Sequence, residues 1–154
     1  MYNSVERARG YKDALAKFNI PFNKDRMLKA GLTFKDGANA ADMLIEKGIS
    51  FDAIFAFTDT LAIGAMNRLR DLGKKIPEEI AIASFSGTVL STIVYPQLTT
   101  VEPPLQQMGK VVAELIIEKI KEPLSPNRSI VLDAEIKLRA SSTVSYTHLR
   151  AHET

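Results

Sequence analysis

The sequence contains no cysteine and no tryptophan, and both of its histidines lie among the last seven of its 154 residues. Without cysteine there is no disulfide, no thiolate metal ligand and no cysteine nucleophile. Residues 1–147 contain no imidazole, which excludes within them a Ser-His-Asp triad, a histidine metal site and a histidine switch near neutral pH. No glycine-rich phosphate loop is present. We therefore expect no catalytic residue, no metal, no cofactor and no enzymatic function.

An excess of one charge and long hydrophobic runs are missing too. Twenty Lys and Arg residues against eighteen Asp and Glu residues give a formal charge of +2, which is too small and too evenly spread for a nucleic-acid-binding surface. No apolar run approaches the roughly 18 residues that a membrane span requires. The first residues show no secretory leader. With 45% hydrophobic and 25% charged residues, the composition is typical of a globular domain, which we expect to act in the cytoplasm and away from membranes.

Helical and strand patterns alternate along the chain. Apolar spacing of three or four residues predicts five helices, located before Asn19, from Thr33 to Gly48, from Thr58 and Asp59 to Gly73, within 87–94, and from Pro104 to Lys121. Short apolar runs predict strands at 27–30, 51–57, 80–85, 99–101, 130–132 and 136–138. The run 51–57 has the length expected of a strand covered on both faces. Strands separated by helices indicate right-handed crossovers and a largely parallel sheet.

Four segments occur in an order and spacing that together are specific. They are Arg7 to Tyr11 (RARGY), 56–65 (AFTDTLAIGA), 76–82 (IPEEIAI), and 96–101 (PQLTTV) with Met108-Gly109 after it. Leu138 to Ser142 (LRASS) forms a matching end. In these segments the chain resembles the LacI/GalR family of bacterial transcriptional repressors.

The resemblance implies an α/β fold, namely a periplasmic-binding-protein-like effector domain with two lobes and a small-molecule cleft between them. Residues 1–142 would be part of this effector-binding and dimerisation domain. Within it, 1–98 and 129–142 would form most of the second lobe, with a largely parallel sheet flanked by helices, and 99–122 would be a strand and helix returning to the first lobe. DNA would be bound only through an upstream helix-turn-helix domain. Residues 143–154 resemble vector-derived sequence and are interpreted as a non-native tail.

Candidate site residues follow from the resemblance and from a general rule, because ligands of open α/β sheets bind beyond the carboxyl ends of the strands. Arg7 matches a position where relatives hold the effector with a guanidinium, and Thr58 stands where many have a short polar residue facing it. Ser86 replaces a carboxylate found in many sugar-responsive relatives, and Leu32 replaces an aromatic residue that often stacks on the ligand. These four residues are predicted to contact a sugar or related metabolite, although the last two departures argue against a typical monosaccharide. Asp59 is interpreted as a helix cap.

Each of these residues also has an ordinary structural interpretation. Arg7 would then be a solvated surface residue, Thr58 a helix cap, and Ser86 a solvated residue at the end of a strand. The resemblance also implies a homodimer, for which Ile63 and Val94 are predicted interface residues, with core packing as the alternative. The apolar stripe of the last helix would lack much of its partner surface, which predicts weak stability or self-association.

Two other function classes remain open at this stage. A transport-type sugar-binding protein of the same architecture would deliver its ligand to a membrane permease. An α/β enzyme fragment is the weaker alternative. The Pro-x-Leu-Thr-Thr-Val segment with the Met-Gly helix favours the repressor.

Overall fold

The computed structural model describes residues 2–143. The helices are α1 (Tyr2–Lys17), α2 (Phe34–Glu46), α3 (Asp59–Asp71), α4 (Leu90–Ile93) and α5 (Leu105–Lys121), with a short 3-10 helix at Lys24–Arg26. The strands are β1 (Ala53–Ala56), β2 (Ala81–Phe85), β3 (Thr99–Glu102) and β4 (Glu135–Lys137). All five predicted helices are therefore present. The tail prediction for 143–154 falls outside the described residues except at Thr143.

The four strands form one sheet in the order β1-β2-β3-β4. β2 pairs parallel to both β1 and β3, and β4 pairs antiparallel to β3. Ala56 lies opposite Ser84, and Phe85 lies opposite Val101. The carboxyl ends of β1, β2 and β3 therefore share one edge of the sheet. The prediction of an α/β fold with a largely parallel sheet is confirmed.

The core lies where α3 packs against β1 and β2, with α2 running along α3. Its buried apolar side chains are Ala41, Ala56, Leu61, Ala62, Ile63, Ala65, Met66, Leu69, Ile80, Ile82 and Leu98. The two helices approach so closely that a methyl group at Gly64 would overlap the carbonyl oxygen of Phe34. Glycine at position 64 thus allows the backbones of α2 and α3 to pack directly.

The start of α2 has a capping box, which the spacing of Thr33 and Asp36 in the sequence favours. The Thr33 hydroxyl accepts a hydrogen bond from the Asp36 amide at 3.1 Å, and the Asp36 carboxylate accepts one from the Thr33 amide at 2.9 Å. Two backbone N–H groups that the helix itself cannot satisfy are thereby paired. The local sequence alone sets this helix boundary.

Two predicted strands are absent from the described residues. Residues 27–30 form no strand, because no strand of 2–143 pairs with the outer edge of β1. Residues 130–132 form none because Glu135 already lies opposite Glu102, the last residue of β3. After Glu102 the chain continues into Pro103 and Pro104, which have no N–H to donate to a neighbouring strand. Strand propensity alone does not supply a hydrogen-bonding neighbour.

Two further predictions need correction. The strand at 51–57 is not covered on both faces, since Phe55 is 50% exposed and α3 packs on one side of β1. The resemblance predicts that the strand at 99–101 belongs to a different lobe from 1–98, but this strand is β3 of the same sheet as β1 and β2. Its backbone pairs with β2 from Thr99 to Val101. The assignment of the following helix to the first lobe stays a prediction.

Helix α5 contains no buried residue. Its apolar side chains are largely exposed, including Leu105, Met108, Val112, Ile116, Ile117 and Ile120. The stripe predicted from the sequence is therefore formed but not covered by the described residues. Among those residues no helix combines the length and apolar character needed to cross a membrane.

Candidate functional site

The Arg7 guanidinium lies between two phenylalanine rings at the carboxyl edge of the sheet. Its Cζ is 4.0 Å from the centre of the Phe57 ring and 3.8 Å from that of Phe85. Its Nη1 donates a hydrogen bond of 2.6 Å to the Phe57 carbonyl oxygen. Cation–π attraction to the two phenylalanine rings, together with this hydrogen bond, fixes the position of the guanidinium.

Strand register explains why these groups meet. Because Ala56 lies opposite Ser84, the next residues along β1 and β2 are Phe57 and Phe85. One step further are Thr58 and Ser86. The sheet therefore places Thr58 and Ser86 at the ends of adjacent strands. Arg7 of α1 contacts the phenylalanine that precedes each of them.

Burial lowers the pKa of Arg7 from its ordinary value, although a guanidinium stays charged at neutral pH. Arg7 is half-buried. Within residues 4–143 no carboxylate forms an ion pair with it, and its one hydrogen bond goes to the Phe57 carbonyl. Among residues 4–143 no other group accepts a hydrogen bond from this cation, whose guanidinium has further N–H groups that can donate to a polar ligand.

Thr58 and Ser86 are both half-buried and both have local hydrogen bonds. Thr58 is the N-cap of α3, and its Oγ1 accepts a hydrogen bond of 3.3 Å from the Leu61 amide. The Ser86 hydroxyl donates to the Phe85 carbonyl oxygen, and the Ser86 amide donates to the Val101 carbonyl at 3.1 Å. The capping role predicted for Thr58 is confirmed, and ligand contact by either residue stays a prediction.

Leu32 is an exposed residue outside the helices and strands. It belongs to the segment between the 3-10 helix and α2, and its side chain is 54% exposed. In the described part of the chain, no hydrogen bond or ring contact joins Leu32 to Arg7, Phe57 or Phe85. Ligand contact by Leu32 stays a prediction.

Asp59 is an important residue whose role the sequence interpretation assigns wrongly. The N-cap of α3 is Thr58, so the interpretation of Asp59 as a cap is wrong. Asp59 is 1% exposed. One carboxylate oxygen accepts hydrogen bonds from the hydroxyls of Ser84 (2.6 Å) and Thr100 (2.8 Å), and the other accepts them from the amide (2.6 Å) and the hydroxyl (2.7 Å) of Thr88.

Two opposing effects act on the pKa of Asp59. Burial raises it, but the hydrogen bonds from Ser84, Thr88 and Thr100 together outweigh burial and hold the pKa below the ordinary aspartate value. The carboxylate is therefore charged at neutral pH and needs all of its donors. The sequence signal was a set of hydroxyl residues, Ser84 and Thr100 among them, inside otherwise apolar strands.

The two predicted dimer-interface residues are packed within this chain. Ile63 is only 5% exposed, and Val94 is half-buried against the core. Ile63 belongs to the buried core of the described residues, which leaves little of its surface for a partner. The exposed apolar side chains of this region are those of Val89 (71%), Ile93 (69%) and Tyr95 (80%).

Comparison with known proteins gives concordant results. A family described as "Periplasmic binding protein-like domain" matches residues 1–142. The transcriptional repressor PurR of Vibrio atlanticus is 34% identical over 137 residues, covering 89% of this chain and 41% of that protein. The chain thus spans about two fifths of the length of this curated relative.

Solved structures agree with this assignment. The complex of the transcriptional regulator CelR with cellobiose has a TM-score of 0.85 at 26% identity, over 90% of this chain and 42% of that one. A LacI-family regulator from Enterococcus faecium with bound ribose has a TM-score of 0.80 at 26% identity, over 88% and 50% of the two chains. The fold, the site at the strand ends and these matches lead to one conclusion: the chain belongs to the periplasmic-binding-protein-like domain family and is similar to regulators of the LacI type.

Proposed function

We propose that this chain supplies one wall of the effector cleft of a cytoplasmic, LacI-type transcription regulator. The observation that carries the proposal is the Arg7 guanidinium, held between Phe57 and Phe85 at the carboxyl edge of the sheet and making, among residues 4–143, one hydrogen bond out of the five it can donate. Open α/β sheets bind small ligands at this edge. A rigidly held fork of donors loses little conformational entropy when a ligand arrives.

The ligand we propose is a sugar or a related polyhydroxy metabolite. Arg7 offers donors, and the hydroxyls of Thr58 and Ser86, one strand apart, can both donate and accept. Sugar hydroxyls need such paired donors and acceptors, because each unmatched polar group costs about 1–3 kcal/mol when it is buried. Related regulators have been solved with cellobiose and with ribose.

Control of DNA binding would follow from a preference of the ligand for one arrangement of the two lobes. The DNA-binding helix-turn-helix would lie outside the present 154 residues, in a part of the protein to which this chain is coupled. A ligand with no preference between arrangements would change nothing, however tightly it bound. We further propose a homodimer, whose contact in this chain would use Val89, Ile93 and Tyr95 at α4 because these side chains are exposed.

Ligand binding by the full-length protein that the gene encodes tests the proposal. Thermal shift and calorimetry with cellobiose, ribose and a panel of other mono- and disaccharides should identify a sugar that stabilises the protein, by about 2.7 kcal/mol at a hundred times its Kd. Arg7→Ala should weaken this binding, and Arg9→Ala, two residues along α1, should not. Equal stabilisation of the wild type and Arg7→Ala would refute the position of the site, and no response across the panel would refute the ligand class.

The transport-type binding protein is the competing function. Sequencing the gene upstream of the codon for Met1 separates the two, since a helix-turn-helix supports the regulator and an export leader supports the transport protein.

A further inference from the structure

The loop that carries Ser86 is fixed by three consecutive backbone N–H groups. The Ser86 amide donates to the Val101 carbonyl at 3.1 Å, and the Gly87 amide donates to the Thr100 hydroxyl at 3.2 Å. The Thr88 amide donates to the Asp59 carboxylate at 2.6 Å. Each N–H of the segment 86–88 therefore has a partner on β3 or at the start of α3.

Asp59 determines two of these three bonds. It accepts the Thr88 amide directly. It also accepts the proton of the Thr100 hydroxyl at 2.8 Å, and this orients the lone pairs of that hydroxyl to accept from Gly87. The Thr88 hydroxyl adds a further bond to the same carboxylate at 2.7 Å. Removing the carboxylate would take away the acceptor of the Thr88 amide, and the Thr100 hydroxyl that accepts from the Gly87 amide would lose its fixed orientation.

The backbone at position 87 has little freedom to move on its own. Gly87 has φ of +64°, and a methyl group there would overlap the side chain of Glu102 on β3. The turn after β2 is thus pressed against β3 in a conformation that favours glycine. Bonds of 2.6–2.8 Å to a charged acceptor are in the range of strong, charge-assisted hydrogen bonds.

We infer that Asp59 is a positioning residue of the effector rim, which consists of Arg7, Thr58 and Ser86 at the carboxyl edge of the sheet. Its buried carboxylate ties the turn carrying Ser86 to the first turn of α3, next to Thr58. It sets the spacing of these two rim residues without touching the ligand, since it is 1% exposed. This inference rests on the proposed function for its consequence in binding. The hold of Asp59 on the loop stands on the hydrogen bonds alone.

Residue-resolved amide hydrogen exchange on the 154-residue chain, without ligand, tests the hold on the loop. In Asp59→Asn one acceptor oxygen becomes an NH2 donor that faces donors. Exchange at Gly87 and Thr88 should then accelerate on the order of ten-fold more than at Ile82 and Leu69 in the core. Uniform acceleration at all four amides would show general destabilisation and overturn the inference, as would no acceleration at the loop.

A second set of variants keeps the test decisive if Asp59→Asn does not fold. Thr88→Val removes one hydroxyl donor to Asp59 and should accelerate exchange at Thr88 and Gly87, whereas Thr88→Ser keeps the hydroxyl and should restore slow exchange. Thr92→Val is the matched control, because the Thr92 hydroxyl donates to the Val89 carbonyl at 2.7 Å outside this network. Equal effects of Thr88→Val and Thr92→Val on the loop would overturn the inference.

Binding supplies the last readout. For a sugar that binds the wild type, Asp59→Asn should weaken the affinity about ten-fold or more while the sugar still occupies the rim. Unchanged affinity in a variant whose loop exchanges rapidly would overturn the positioning role. A wild type that binds no sugar would instead refute the proposed function, and the exchange result would be unaffected.

Discussion

The tie between α1 and the sheet edge should depend on Arg7 more than on any other charged residue of that helix. Two of the apolar side chains at this helix are largely exposed, since Val5 is 63% exposed and Phe18, just past its end, is 70% exposed. Arg7 reaches across to Phe57 and Phe85 instead. Replacing Arg7 with alanine removes one charged hydrogen bond and two cation–π contacts while leaving the helix-forming tendency of α1 intact.

The magnitude follows from these contacts. A hydrogen bond from a charged donor contributes about 1.5–3 kcal/mol, and a partly exposed cation–π contact about 0.5–1 kcal/mol. Against this stands the entropy of ordering the arginine side chain, up to about 2 kcal/mol. We expect Arg7→Ala to lower the free energy of unfolding by about 2 kcal/mol, measured by urea denaturation followed by circular dichroism at low protein concentration.

Arg9→Ala is the matched control on the same helix. The Arg9 side chain is 68% exposed and pairs with Glu6 at 2.5 Å, three residues earlier. Exposed pairs of this kind contribute about 0.2–0.5 kcal/mol, so this variant should unfold almost as the wild type does. Equal losses of unfolding free energy in the two variants would show that the contacts of Arg7 with Phe57 and Phe85 do not stabilise the fold, which would refute the prediction.

Three other predictions concern packing, pH and association. Gly64→Ala should destabilise the protein by about 1–3 kcal/mol, because the added methyl overlaps the Phe34 carbonyl. Gly109→Ala, at a position of α5 with open space around it, should instead stabilise the protein by about 0.5–1 kcal/mol. Urea midpoints with the opposite order would contradict the close packing of α2 on α3. The folded-state pKa of Asp59 is below its ordinary value, so its contribution to stability is present above the unfolded pKa of about 3.9 and is lost as pH falls through the lower, folded pKa; unfolding measured from pH 6 to pH 2 should show this loss, and Asp59→Asn should flatten it. Ile116→Glu, on the exposed stripe of α5, should reduce self-association of the isolated chain in sedimentation velocity, and a wild type that sediments as a monomer at every concentration would contradict the prediction.

The elements of this protein are determined mostly by local sequence. The capping box at Thr33 and the apolar spacing of α3 are decided within a few residues, so the sequence predicts them correctly. The sequence also predicts the capping role of Thr58, because N-capping depends only on the capping residue and on the amides of the next turn. The parallel sheet also follows from the alternation of elements, since parallel strands need a crossover between them.

The tertiary structure alone decided what depends on distant partners. Residues 27–30 have strand character but no neighbour to pair with, and a side chain such as Ile63 is buried or free according to how helices pack. The hydrogen bond of Arg7 with Phe57 joins residues 50 positions apart, and the donors to Asp59 come from as far as Thr100. Composition and spacing record which groups are available, but hydrogen bonds and ring contacts require distances that only the folded backbone sets.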